Sequence, residues 1–262
     1  MSSNPLCLVS FYIGIKEIEP NHHHHHKLED YIHSGQLLID IPIKKVLFVD
    51  STIIHRFTGN IHTTIIPITL DDFTLYKDYY CRCSSGEIKV LTVDKGKDTA
   101  MFHLLQLSKS EFVARAIRLN PFNADIFAWV DFGIRKVFKS DDEMRKSIMS
   151  LNSQLNKIPK RGLLMAGCWP LNAQDYSEYD RILWYFCGTF FAGYKDTMLK
   201  FGELVEVEAM FNMEVLRKLT FEVNIWFRIW RSQQVNSGIY GEKNIEFHWY
   251  PADHNARLFQ IS

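Results

Sequence analysis

No apolar run in this 262-residue chain approaches the ~20 residues that a membrane-spanning helix needs. Its start lacks the basic residues, long apolar stretch and small-residue cleavage site of a secretory leader. The chain therefore reads as soluble and intracellular, with no membrane span. Neither charge is in excess, with 30 Lys plus Arg against 30 Asp plus Glu. That argues against a nucleic-acid partner, whose footprint is usually basic. Cysteine is sparse. Cys7, Cys81, Cys83, Cys168 and Cys187 are odd in number and scattered, which is not a disulfide framework. Cys81 and Cys83 form a lone C-x-C, and a zinc ribbon needs four ligands, so these read as ordinary thiols. The first strand runs into FYIGIKEI, with no GxGxxG, and the chain has no P-loop, GxSxG or HExxH. It also has no evident linker or internal repeat. A length of 262 residues suits one large α/β domain or two small ones, and one is expected.

Aromatic residues, in contrast, make up 14% of the chain, enough for a well-packed core and a site that stacks planar rings. The most informative stretch is FAWVDFGI, Phe127 to Ile134. An apolar run bounded by a turn residue reads as a buried strand, and it delivers one carboxylate, Asp131, at its carboxyl end. Ligands of open α/β sheets bind at those ends. A charge so near a core calls for a partner or a metal.

Strands are predicted at Leu6 to Ile15, Lys45 to Val49, Thr63 to Leu70, Ile126 to Val130, Gly162 to Cys168, Arg181 to Gly193 and Ile245 to Tyr250. Pro67 marks the third as an edge strand or a bulge. Helices are predicted at Lys27 to Ile39, Ala100 to Leu119, Asp141 to Leu155, Asp196 to Leu219 (as one or two) and Thr220 to Arg231. Asn120-Pro121 stops the second of these and Ser140 caps the third. Asp71 to Lys97 reads as loop with a short helix. The alternation argues for an α/β sandwich on a largely parallel sheet. His22 to His26 is read as a low-complexity loop that could bind transition metals in vitro.

Several residues carry candidate chemistry. A strand followed by Asp, one residue and a second acid is the usual metal-diphosphate arrangement of nucleotide-sugar enzymes, where hard oxygen ligands suit Mg²⁺ or Mn²⁺. Here Gly133 stands in the second position, which leaves one carboxylate and room for close backbone approach. The plain structural reading of Asp131 is a carboxylate capping a turn. Glu222, in the first turn of a helix that Thr220 could cap, either complements the helix dipole or acts as a base aimed into a cleft. Asn224 and Trp226 have the chemistry of sugar recognition, although Trp226, Trp230 and Trp249 read better as core. His254 is a candidate ligand for metal or phosphate, with Asp253 and His248 as alternatives. Lys109 and Arg115 would ordinarily form a solvated helical face. Gly188 and Gly193 mark close approach of a ligand or backbone, or plain strand curvature.

The ordered set WVDFG, CGTFFAG, FEVNIW and WYPADH, together with LVSFYIGI, LSKSEFVARAI and NPFNADIFAWVDFGI, resembles the HtrL/YibB family of bacteria and large viruses. That family looks related to GT-A-type glycosyltransferases. The resemblance spans most of the chain. It implies a single-domain GT-A-like α/β/α sandwich over residues 1–262, with a nucleotide-binding half to about 135 and an acceptor half beyond. It implies a nucleotide-diphosphate sugar donor, with UDP favoured, and Mn²⁺ or Mg²⁺ held by Asp131 and His254. Phe11, Tyr12 and Asp50 would hold the nucleoside, and Lys109 the ribose or phosphate. Gly188 would line the sugar cleft, and Glu222 would face a glycan, protein or lipid acceptor. The compartment would be the cytoplasm, or a host's cytoplasm for a viral chain, and self-association is left open. The D-x-G in place of D-x-D keeps a second reading in view, a non-catalytic module that binds a nucleotide sugar or glycan. A sugar hydrolase using Asp131 and Glu222 as a carboxylate pair is a third reading.

Overall fold

A computed structural model describes residues 5–15, 19, 27–169, 181–234, 245–252, 259 and 261. Its centre is a seven-stranded sheet. The strands are β1 (Leu6–Tyr12), β2 (Lys44–Asp50), β3 (Thr63–Ile68), β5 (Ile126–Val130), β6 (Gly162–Gly167), β7 (Phe186–Tyr194) and β9 (Glu246–Pro251), in the order β3-β2-β1-β5-β7-β6-β9. Every pairing is parallel except those of β7 with β5 and β6. Two short strands, β4 (Lys89–Val90) and β8 (Lys218–Leu219), pair separately. Seven α-helices are seen among the described residues: α1 (Leu28–Asp40), α2 (Thr74–Ser84), α3 (Ala100–Leu107), α4 (Lys109–Leu119), α5 (Asp141–Leu155), α6 (Lys195–Glu214) and α7 (Glu222–Gln234).

The inner strands β1, β5, β6 and β7 are buried on both faces because both faces are covered, as expected of a mostly parallel sheet. Along β1, Cys7, Val9 and Phe11 enter one core with residues of α2, α3, α4, α6 and α7. Leu6 and Leu8 enter the other, with Leu37 and Leu38 of α1 and Met144, Ile148, Leu151 and Leu155 of α5. Thus the two-residue period of the strand feeds two helical layers. β3 lies at the sheet edge with Pro67 exposed, where a missing N–H costs least. Ser140 caps α5 by accepting from Glu143 N at 3.1 Å.

Several predicted bounds shift. β1 ends at Tyr12 rather than Ile15, because the chain then turns and Gly14 N donates to Asp50 Oδ2 at 3.0 Å. The predicted helix from Ala100 to Leu119 is two helices, broken at Ser108, whose hydroxyl donates back to Leu104 O at 2.9 Å. Leu119, the last residue of the predicted helix, is exposed. The predicted strand from Arg181 starts only at Phe186, since Asn224 Oδ1 accepts from Leu183 N at 2.8 Å and holds that stretch toward α7. α6 ends at Glu214, and the chain passes through Arg217 at φ 54° into β8. Thr220 does not cap α7, and its hydroxyl instead accepts from the Asn224 amide at 2.9 Å. No disulfide links the cysteines among the described residues, and Cys168 and Cys187 lie buried with their Sγ atoms 2.9 Å apart. No helix of the described residues is long and apolar enough to cross a membrane.

Candidate functional site

From β1 the chain moves outward to β2 and β3, then returns to place β5 on the other side of β1. The strand order reverses there, and a crevice opens outside the carboxyl ends of β1 and β5. A cleft of about 570 Å³ occupies this position, within the size range of small-molecule sites. Phe11, Tyr12 and Ile13 line it from the end of β1, and Trp129 and Asp131 from β5 and just beyond. β7 runs the opposite way, so its early residues, not its late ones, reach this end of the sheet. Asp131 N donates to Thr189 O at 3.1 Å, and Gly188 and Thr189 join the lining.

Lys109, the first residue of α4, stands at the centre. The break at Ser108 starts a new helix there and aims its long side chain at the sheet end. Its Nζ donates to Gly188 O at 2.8 Å and Glu222 Oε1 at 3.0 Å, and lies 3.3 Å from Asp131 Oδ1. Trp129 Nε1 donates to the same Asp131 oxygen at 2.9 Å. Lys109 is only 2% exposed. Burial pulls its ammonium down, but Asp131 and Glu222 outweigh that and hold it above the usual lysine range. Gly188 makes the arrangement possible, because a Cβ there would overlap Glu222 Oε1 and stand 3.2 Å from Lys109 Nζ.

Around this trio the walls are largely aromatic, with Tyr31, Phe102, Phe132, Trp169, Trp184 and Phe221. Burial, with help from Asp131 and Asp30, pushes the Tyr31 phenol up to about 12. Tyr31 also covers Gly133, where a Cβ would meet its ring at 2.9 Å. The position that a second acid of a D-x-D would occupy is therefore roofed by a tyrosine. Lys97 and Lys136 complete the lining. Lys136 lies on the turn after Asp131 and is open to solvent. The surrounding walls pull its ammonium down, Asp131 opposes this, and Lys97 and Lys109 reinforce it.

Of the residues singled out in the sequence, Phe11, Tyr12, Lys109, Asp131, Gly188 and Glu222 come together at the cleft. Lys109 is no solvated helical face. Arg115 stays outside and pairs with Glu111 at 3.1 Å. Asp50 and Asn224 are not in the lining either. The Asp50 carboxylate accepts from Gly14 N and from Thr52 N and Oγ1, tying the β1 and β2 turns together. Asn224 is fully buried, and its amide donates to Arg181 O at 2.8 Å. Its role is to hold the segment that presents Trp184. Trp226 packs on Phe191 and Phe201 in the core. His248 is on the edge strand β9, away from the cleft. Asp253, His254 and the His22 to His26 run lie outside the described residues. Sequence reasoning missed Tyr31, Lys97 and Lys136. Only Lys136 had a local signal, its place five residues past Asp131 in FGIRKV.

Among the described residues no three His, Cys, Asp or Glu side chains gather as a metal-binding group. A divalent cation bridging Asp131 and Glu222 would have to take the place of the Lys109 ammonium, which already contacts one oxygen of each. The donor set described here therefore does not fit a bridging metal, and no step below is routed through one. A scan against protein-family models finds no match to this chain, and a search of curated proteins finds none either.

Proposed function

We propose that the chain is a glycosyltransferase of the HtrL/YibB type, moving a sugar from a nucleoside diphosphate donor to an acceptor hydroxyl. The observation that carries this reading is the cleft at the strand-order reversal. It joins aromatic walls, suited to a nucleoside base and a sugar ring, to a carboxylate pair and to lysines suited to phosphate oxygens.

In this reading the acceptor oxygen attacks the anomeric carbon as the bond from that carbon to the diphosphate oxygen breaks. Glu222 takes the acceptor proton, and the departing diphosphate keeps the bonding pair. Lys109 holds Asp131 and Glu222 at fixed distances, so the base needs little reorganisation when the acceptor arrives. Assistance by Mn²⁺ or Mg²⁺ through Asp131 and His254 would add a second cation beside Lys109, and the thermal panel below tests it. A second reading, a binding module without transfer, draws on the engagement of both carboxylates by a single ammonium.

Thermal stabilisation against a panel of nucleotide sugars, with and without Mn²⁺, tests binding, because a ligand of the native state raises Tm. A control lacking His22 to His26 separates metal bound by that run. Release of nucleoside diphosphate in the presence of mixed acceptors then tests transfer. Binding with no release under any acceptor or metal supports the module instead, and no shift with any donor removes the nucleotide-sugar reading.

A further inference from the structure

Three lysines line the cleft, and they are not equivalent. Lys109 is matched by two carboxylates. Lys97 and Lys136 make no ion pair among the described residues. Lys97 stands with its ammonium 5.4 Å from the centre of the Phe102 ring. Lys136 projects from the turn directly after Asp131. Burial pulls the Lys136 ammonium down, Asp131 opposes this, and the charges of Lys97 and Lys109 add to it. Three ammonium groups against two carboxylates leave the aromatic-walled lining with one positive charge in surplus. An anion bound in the cleft would offset that surplus.

Resting on the nucleotide-sugar reading above, we infer that Lys97 and Lys136 form a clamp for the diphosphate of the donor, binding it without a divalent cation. Lys109 contacts both Asp131 and Glu222, and neither acid forms a direct ion pair with Lys97 or Lys136 among the described residues, so both ammonium groups stay open to a ligand. Both lysines share the cleft lining with the aromatic walls and the carboxylate pair, so a diphosphate held by them would join a stacked base to a sugar at the reacting groups. Charge neutralisation of the departing diphosphate then falls to two side chains on separate loops.

The test is calorimetric titration of the full chain in EDTA with inorganic pyrophosphate, with UDP and with uridine. The expected result is binding of pyrophosphate and UDP that weakens with added salt. K97Q and K136Q should each weaken it about tenfold and the double variant further, while K97R and K136R should retain it. Uridine affinity should be unchanged in all of them. Wild-type binding of UDP only when Mn²⁺ is supplied overturns the clamp, as does equal UDP affinity in wild type and K97Q/K136Q. The failure of the transferase reading looks different. Lysine-dependent pyrophosphate binding with no nucleotide sugar turned over upholds the clamp and removes the transferase. Turnover with an unchanged donor KM in K97Q/K136Q removes the clamp and upholds the transferase.

Discussion

The α-carbon of Gly188 lies so close to Glu222 that a methyl group there would overlap the carboxylate oxygen bound by Lys109. These residues sit on β7 and α7, and only the absence of a side chain on the strand lets the acid reach the ammonium. Gly188→Ala should therefore push Glu222 away and disturb Lys109, the next atom in reach. Overpacking of this kind costs about 1–3 kcal/mol. A fall in Tm together with loss of transfer, or of donor binding, is the expected result. A variant with wild-type Tm and turnover would show that Glu222 does not need this position.

Lys109→Met should be more damaging. It leaves Asp131 and Glu222 facing each other near the core with no cation, and breaking a buried pair by removing one partner costs about 3–5 kcal/mol. Lys109 has its value raised in the folded chain, so its contribution is fully present below the unfolded lysine value of about 10.4 and is lost only as pH rises through the higher folded value. The gap between wild type and variant should thus be flat through neutral pH. It should narrow in acid, where the variant's stranded carboxylates can bind protons. K109M/E222Q, with one charge fewer, should recover part of the loss. Chemical denaturation of the three proteins across pH checks both points.

A second buried lysine gives the opposite pH dependence. Lys45 is fully buried on β2, and its ammonium donates to Ile41 O at 2.6 Å and Ile39 O at 3.2 Å, carbonyls at the end of α1. Burial pulls its value down to about 8, with Cys7 and Asp40 opposing. Between there and about 10.4 the unfolded chain binds more protons than the native one. The contribution is therefore complete above the unfolded value and is lost as pH falls through about 8. The stability difference between wild type and Lys45→Met should grow as pH rises from 7.5 to 10, in a window set by about 8 and about 10.4. A difference that stays constant would place the Lys45 titration elsewhere.

Gly133→Asp would recreate a D-x-D sequence, yet its Cβ would stand 2.9 Å from the Tyr31 ring. The substitution should lower Tm by an amount matching about 1–3 kcal/mol and confer no metal dependence by itself. Opening the roof in G133D/Y31A should restore part of the stability, and differential scanning fluorimetry with and without Mn²⁺ reads both effects. A stable single variant that acquires Mn²⁺-dependent donor binding would show that Tyr31 moves aside freely.

Much of the architecture is written in local pattern. The run FAWV is buried on both faces in the structure because an unbroken apolar strand has no polar face to offer solvent, and Asp131 follows it to the sheet end. Pro67 marked an edge, and Ser140 marked a helix start, because each effect acts within a few residues. Asn224 misled, since an amide beside a tryptophan is equally suited to a sugar and to backbone groups, and the tertiary structure gave it the backbone of Arg181 and Leu183.

By itself the sequence determined the alternation of strands and helices, a largely parallel sheet and the carboxylate at a strand end. Periodicity and turn chemistry are short-range, and they need no knowledge of what lies across the fold. Only the tertiary structure decided which charges meet. Lys109 and Glu222 are 113 residues apart in the chain, and their pairing depends on a helix break at Ser108, an antiparallel β7 and a glycine without a side chain. The same holds for Tyr31 over Gly133 and for Lys97 and Lys136 in one cleft lining. A charge is compensated by whatever the fold brings within a few ångströms of it, and sequence spacing does not encode that distance.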